Sequence, residues 1–214
     1  MAERRVGGES LVRARVYVEG GGGRQREFRR GLRTLFERAG LRERIANIDP
    51  CGSRAEAFKS FCIALRNAAP GEFVCLLVDS EDPVKPNTSP WAFLGTHQTD
   101  QWKRPQGAHD DNAHLMVQCM EAWFLADSGT LERFFGQGFR PNALPNRTDV
   151  ENIPKRDIFA ALEGATSACV PKGQYRKGAH SFEVLATLDP EKVASASPYA
   201  RRLFDTLKQK TQGT

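Results

Sequence analysis

The segment Phe73–Val78 (F-V-C-L-L-V) constrains the fold most. It is apolar at every position, so neither face of a strand built from it can meet water. Pro70-Gly71 before it and Asp79 after it mark its ends. A strand covered on both faces belongs in the middle of a parallel sheet with helices on either side. The residues before it supply such elements. Val12, Ala14, Val16 and Val18 alternate along V-R-A-R-V-Y-V, a strand that ends at Glu19. Phe28, Leu32, Leu35, Phe36 and Ala39 recur at helical spacing and stop at Gly40. Arg44–Ile48 is a second short strand. Ser53-Arg54-Ala55-Glu56 is a capping box, in which serine accepts from the third amide and glutamate reaches back. The helix behind it buries Ala57, Phe58, Phe61, Cys62 and Leu65. The order βαβαβ with short connections predicts a doubly wound, mainly parallel α/β sheet.

After Asp79 the texture changes. Residues 80–113 carry Pro83, Pro86, Pro90 and Pro105 with Trp91 and Trp102, and read as a long functional loop holding one short helix from Ser89-Pro90. Its tryptophans, taken as exposed, suit an interface. Leu115–Cys119 reads as a strand and Glu121–Ala126 as helix. Ser128 caps a further turn over Leu131, Phe134 and Phe135. The C-terminal third reads as helices over roughly 154–164, 181–188 and 198–210. The expected organisation is an α/β core over 1–130, with the loop at 80–113, and a helical extension over 131–214 packed on it.

Composition sets the partners and the compartment. The 214 residues carry 31 basic and 26 acidic side chains, a net charge of +5. Eight arginines and only three acids lie between Arg24 and Arg44, and Lys172, Arg176, Lys177 and His180 form a second basic cluster. Each reads equally as a solvated face or as a binding surface for nucleic acid. No apolar run approaches the roughly 20 residues a membrane span needs. The first ten residues hold no apolar stretch of the kind a secretory signal requires. The five cysteines (Cys51, Cys62, Cys75, Cys119, Cys169) form no C-x-x-C pair, which argues against a disulfide framework or a zinc site and for the cytoplasm.

The chemistry-bearing residues are acidic. Glu19 ends the first strand, and Asp79, Glu81 and Asp82 follow the third. In a parallel sheet the strand C-termini share the edge at which ligands bind, and right-handed crossovers bring strands one and three together. Four carboxylates then converge, a set suited to Mg²⁺ or Mn²⁺ beside a phosphate. The alternative is a polar turn in which the aspartates cap the next segment. Gly20–Gly23 match no G-x-G-x-x-G and precede no G-K-[ST], so they read as a turn that brings backbone close to a phosphate. H-D-D-N at 109–112 reads as a polar loop more readily than as a metal site. Tyr17, inside a strand, is not placed as a topoisomerase nucleophile.

Y-V-E-G at 17–20 with L-L-V-D-S-E-D at 76–82 resembles the Toprim fold of primases, topoisomerases and OLD-family nucleases. That resemblance implies a glutamate after the first strand and a D-x-D pair after the third, holding Mg²⁺ beside a phosphodiester. By position Glu19 is the glutamate, and Asp79 and Glu81 the pair. The departure is a glutamate in place of the second aspartate, with Asp82 next to it, so either Glu81 or Asp82 can be the second ligand.

L-M-V-Q-C-M-E-A-W-F-L-A-D at 115–127, I-P-K at 153–155 and Y-R-K-G-A-H at 175–180 resemble a bacterial family of unknown function. It is regarded as Toprim-like, and some members sit beside ATPases in phage-defence neighbourhoods. The resemblance implies a Mg²⁺-dependent nuclease-like protein acting on DNA or RNA with a partner ATPase, and allows self-association. The catalytic residues would be Glu19, Asp79 and Glu81. Glu121 would be an additional acid or a cap, and Asp127 a further candidate. Lys155, Lys172, Lys177 and His180 would form a cationic wall for the phosphate backbone, His180 being also a candidate helix cap. A non-catalytic binding subunit of a defence complex and a small-molecule phosphohydrolase are the alternatives.

Overall fold

A computed structural model describes residues 12–212 of the chain; the N-terminal stretch read above for a signal lies outside them. The fold is α/β, with one four-stranded, all-parallel sheet and nine α-helices among the described residues. Strand β1 (Arg13–Val18) leads through α1 (Gln25–Phe36) to β2 (Ile45–Pro50), then α2 (Arg54–Arg66) and β3 (Glu72–Asp79). Helix α3 (Pro90–Thr96) precedes β4 (Ala113–Met116). The spatial order is β2-β1-β3-β4, so β1 and β3 are neighbours, as the crossover rule requires.

Val74–Val78, the middle of β3, are buried because both faces are covered there, while Phe73 before them is half-buried. On one face Ala14, Val16, Val18, Cys75 and Leu77 pack with Phe28, Leu32, Leu35 and Phe36 of α1 and with the C-terminal helices. On the other, Val74, Leu76 and Val78 pack with Ala57 and Phe61 of α2 and with Trp91 and Leu94 of α3. A Leu77→Ala truncation in this sheet would cost about 2–5 kcal/mol.

The second half runs through α4 (Ala122–Leu125), α5 (Ser128–Phe135), α6 (Lys155–Thr166), α7 (Ser181–Thr187), α8 (Pro190–Ala196) and α9 (Pro198–Lys210). These helices share the apolar core of the α1 face. The closest approach is α7 on α1, where Phe182 stacks on Phe28 with ring centroids 4.8 Å apart. Gly31 permits it, since a Cβ there would lie 2.5 Å from the Phe182 carbonyl oxygen.

Several local expectations need correction. Strand β4 starts at Ala113 and ends at Met116, rather than spanning Leu115–Cys119. His114 disguises its start, being a polar residue that is fully buried. Its Nε2 donates to the Asp111 carbonyl at 3.0 Å, and its Nδ1 accepts from Arg202 at 3.1 Å. Burial, with Arg202 adding to it, depresses its pKa to about 3, so it stays neutral. The cap of α5 is Asp127, whose carboxylate accepts from the Thr130 amide at 3.3 Å; Ser128 is the first helical residue. Ser53 caps α2 through the Glu56 amide at 3.2 Å, whereas the Glu56 carboxylate faces Lys59 at 3.7 Å. The tryptophans of the loop turn inward. Trp91 is buried and donates to the His109 carbonyl at 2.9 Å, and Trp102 stacks on Phe58 of α2 at 4.2 Å. They are packing residues, not an exposed interface. No helix among the described residues is long and apolar enough to cross a membrane.

Candidate functional site

The C-terminal edge of β1 and β3 brings three acids together. Glu19 follows β1, Asp79 ends β3, and Glu81 stands two residues on. One carboxylate oxygen from each lies within 4.8 Å of the others. Local structure sets each of them. The Glu19 amide donates to the Leu77 carbonyl at 3.0 Å, which holds the chain against β3 past the end of β1. Its Oε2 accepts from the Asp79 amide at 3.2 Å. Asp79 Oδ1 accepts from the Met120 amide at 2.9 Å. Glu81 has a left-handed backbone, φ +64°, a conformation that costs a non-glycine residue energy and clusters at functional sites. The Glu81 amide is held by the Gln118 carbonyl at 2.9 Å.

Two cations brace the acids. Arg54, the first residue of α2, lies 3.3 Å from Glu19 Oε2 and 2.6 Å from Asp100 Oδ2, and also donates to the Asp79 carbonyl. Lys155, the first residue of α6, pairs with Glu81. These contacts leave Glu19 Oε1, Asp79 Oδ2 and Glu81 Oε1 with no hydrogen bond from the described residues. Loss of surrounding water pushes the Asp79 carboxyl well above the ordinary range, and the neighbouring Glu19 and Glu121 push it the same way. Glu19 is raised too, chiefly by burial, against the pull of Arg54. Three crowded carboxylates, Glu81 the exposed one, with free oxygens and no nitrogen or sulfur donor are a donor set for a hard divalent cation.

A cavity of about 480 Å³ opens over this edge. Glu19, Asp79, Glu81 and Glu121 line it together with Gly20–Gly23, Arg24 and the segment around Lys177, Gly178, Ser181 and Phe182. Gly20, Gly21 and Gly22 all have positive φ, and a Cβ on Gly21 would lie 3.0 Å from Pro50 Cβ. The tight glycine turn therefore bares backbone at the cavity wall.

The structure sorts the remaining candidates. Asp82 turns out of the acid group, its carboxylate exposed and 3.5 Å from His97 Nε2. Glu121 is buried in the cavity wall, with Oε1 3.4 Å from both Tyr175 Oη and Ser181 Oγ; its side chain caps nothing. Asp127 lies elsewhere, its oxygens held by Thr130, the Asp189 amide and Lys192 at 2.7 Å. The cationic wall is only partly assembled. Lys155 reaches the acids and Lys177 lines the cavity. Lys172 instead lies 3.4 Å from Glu183 and over the Phe134 ring. His180 is buried against Phe134, Phe135 and Tyr175, and its Nδ1 accepts from the Arg176 amide at 3.1 Å. It neither faces the cavity nor caps α7 with its side chain. Arg24, read only as one of the eight arginines between Arg24 and Arg44, stands at the cavity, and Arg54 escaped the sequence reading. For Arg54 a signal existed: the first residue of a helix that follows a parallel strand stands at the ligand-binding edge.

The family described as Domain of unknown function (DUF4276) matches residues 18–208. The chain belongs to this family. That match spans every acid of the cavity and the helices that cover them. No curated protein and no solved structure matches this DUF4276 chain.

Proposed function

We propose that this chain is a Toprim-like phosphodiesterase that acts on nucleic acid with Mg²⁺ or Mn²⁺. The observation that carries the reading is the meeting of Glu19, Asp79 and Glu81 within 4.8 Å at the C-terminal ends of two adjacent parallel strands. It is the arrangement that the Toprim resemblance implies, and the outward turn of Asp82 favours Glu81 as the second member of the pair. A bound divalent cation supplies charge for the phosphoryl oxygens and lowers the pKa of water. The chain's own residues do the rest. Asp79 and Glu81 would hold the ion, while the Met120 amide fixes Asp79 Oδ1 and Lys155 fixes Glu81 Oε2. Glu19, whose raised proton affinity moves it toward the working range of a general base, would take the proton of the attacking water as its oxygen bonds to phosphorus and the P–O ester bond breaks, the leaving sugar oxygen then gaining a proton from solvent. Arg54 keeps Glu19 in place through Asp100. The volume of the cavity favours a second reading, hydrolysis of a small phosphate ester. A partner ATPase is the proposed regulator, to be sought by co-purification with neighbour-encoded proteins.

The test is cleavage of labelled DNA and RNA with Mg²⁺, with Mn²⁺ and with chelator. Cleavage should need the metal and fall more than about 100-fold in Asp79→Asn, since even groups that only support a metal ligand are worth about 10–100-fold. Undiminished cleavage by a folded Asp79→Asn protein would refute the assignment.

A further inference from the structure

The cavity over the acids is larger than an ion and its waters require, and its walls differ in chemistry from its floor. One wall is the turn Gly20–Arg24 and the other is the segment Lys177–Phe182. Arg24 Nη1 donates to the Gly178 carbonyl at 2.5 Å, so the two walls are tied together across the opening. The open apolar surface of the interior is the half-buried ring of Phe182, stacked on Phe28, with Phe28, Met116 and Met120 buried behind it. Cations stand beside it. Lys177 lines the cavity, and its ammonium lies 5.2 Å from the centre of the Phe159 ring. A second depression of similar volume adjoins the first through Arg24, Gly178 and Phe182 and adds Arg30 together with Glu27, which lies 3.6 Å from Arg24, and Glu183.

The geometry points to a single-stranded segment of DNA or RNA as the substrate, with one nucleotide drawn inside the chamber and its neighbours running past Arg24 toward Arg30. This rests on the phosphodiesterase reading and deepens it. A duplex keeps its backbones on the outside of a stiff rod, with grooves about 12 and 6 Å wide. It cannot lower a phosphate to the floor of a cavity whose two walls are tied by the Arg24–Gly178 bond. A single strand can turn one nucleotide inward, where the base finds aromatic and thioether surface and the phosphates find guanidinium and ammonium groups. The acids at the floor then face the diester of that nucleotide.

Anisotropy of fluorescein-labelled single-stranded DNA, single-stranded RNA and a blunt DNA hairpin, measured in chelator, tests the inference. Single strands of one or both sugars should bind at least about tenfold more tightly than the hairpin, as for grooves that combine stacking and charge. Equal or tighter hairpin binding overturns it. Lys177→Ala should lower the slope of log affinity against log salt by about 0.7, the share of one phosphate contact on a single strand. An unchanged slope in the folded variant overturns the placement of the strand. Hydrolysis in Mn²⁺ separates the two readings. Interior cleavage of the hairpin as fast as of the single strands overturns this inference and leaves the phosphodiesterase. Tight single-strand binding with no cleavage, and none of bis(p-nitrophenyl) phosphate, overturns the phosphodiesterase and leaves the binding mode.

Discussion

At the scale of single residues, the site is legible where chemistry follows from chain position and hidden where it follows from packing. Glu19 and Asp79 are readable because a strand's last residue must stand at the sheet edge. Glu81 is separable from Asp82 only in three dimensions, because a left-handed backbone at Glu81 decides which side chain turns inward. Lys172 and His180 look like members of a basic cluster, yet partners remote or apolar in sequence claim them: Glu183 for one, Phe134 and Phe135 for the other. Arg54 is the reverse case, since Asp100 and Glu19 that hold it lie far along the chain on either side. Its planar guanidinium serves Glu19, Asp100 and the Asp79 carbonyl at once, which an ammonium cannot copy. Arg54→Lys should weaken Mn²⁺ binding by about 10–100-fold, read by calorimetric titration, with the fold retained by circular dichroism.

At the scale of elements, the sheet was predictable and the cover over its edge was not. Phe73–Val78 demands apolar partners on both faces, and this alone calls for helices on each side. Nothing local announces that α7 will lie against α1. That depends on Gly31, which reads as a weak point in a helix and is the place where two backbones meet. Helix propensity favours Gly31→Ala by about 1 kcal/mol. The added methyl would lie 2.5 Å from the Phe182 carbonyl oxygen, and overpacking of this kind costs about 1–3 kcal/mol. The expected result is a net loss of stability, seen as a lower midpoint in urea denaturation. A higher midpoint would show that α7 moves freely from α1. Ser53→Ala, which removes the α2 cap beside Arg54, should cost about 1 kcal/mol in the same assay.

At the scale of the whole molecule, the acids make stability depend on pH and metal together. The carboxyls of Asp79 and Glu19 have folded pKa values above their unfolded ones. Such groups favour the folded state fully only below the unfolded value, near pH 4, and that contribution is lost as pH rises through the folded value. In chelator, therefore, these two residues should make stability decline from about pH 4 upward. Asp79→Asn should flatten the decline and melt higher than the parent at neutral pH. A divalent cation reverses the trend, since its binding expels the protons. Mn²⁺ at about 100 times its Kd should add about 2.7 kcal/mol, measured as a rise in Tm at pH 7.5 or so. A Tm that climbs with pH in chelator and ignores both Mn²⁺ and Asp79→Asn would contradict this balance.

The bond from Arg24 to the Gly178 carbonyl joins residues far apart in time as well as in sequence. A ribosome releases Glu19, Asp79 and Glu81 roughly a hundred residues before the Lys177–Phe182 wall, an interval on the order of ten seconds at usual elongation speeds. The nascent protein thus carries its acidic edge uncovered until α7 has left the ribosome. Any selectivity that the chamber enforces begins only when α7 docks on α1. A message truncated after β4 would encode the three acids without the wall that stands over them.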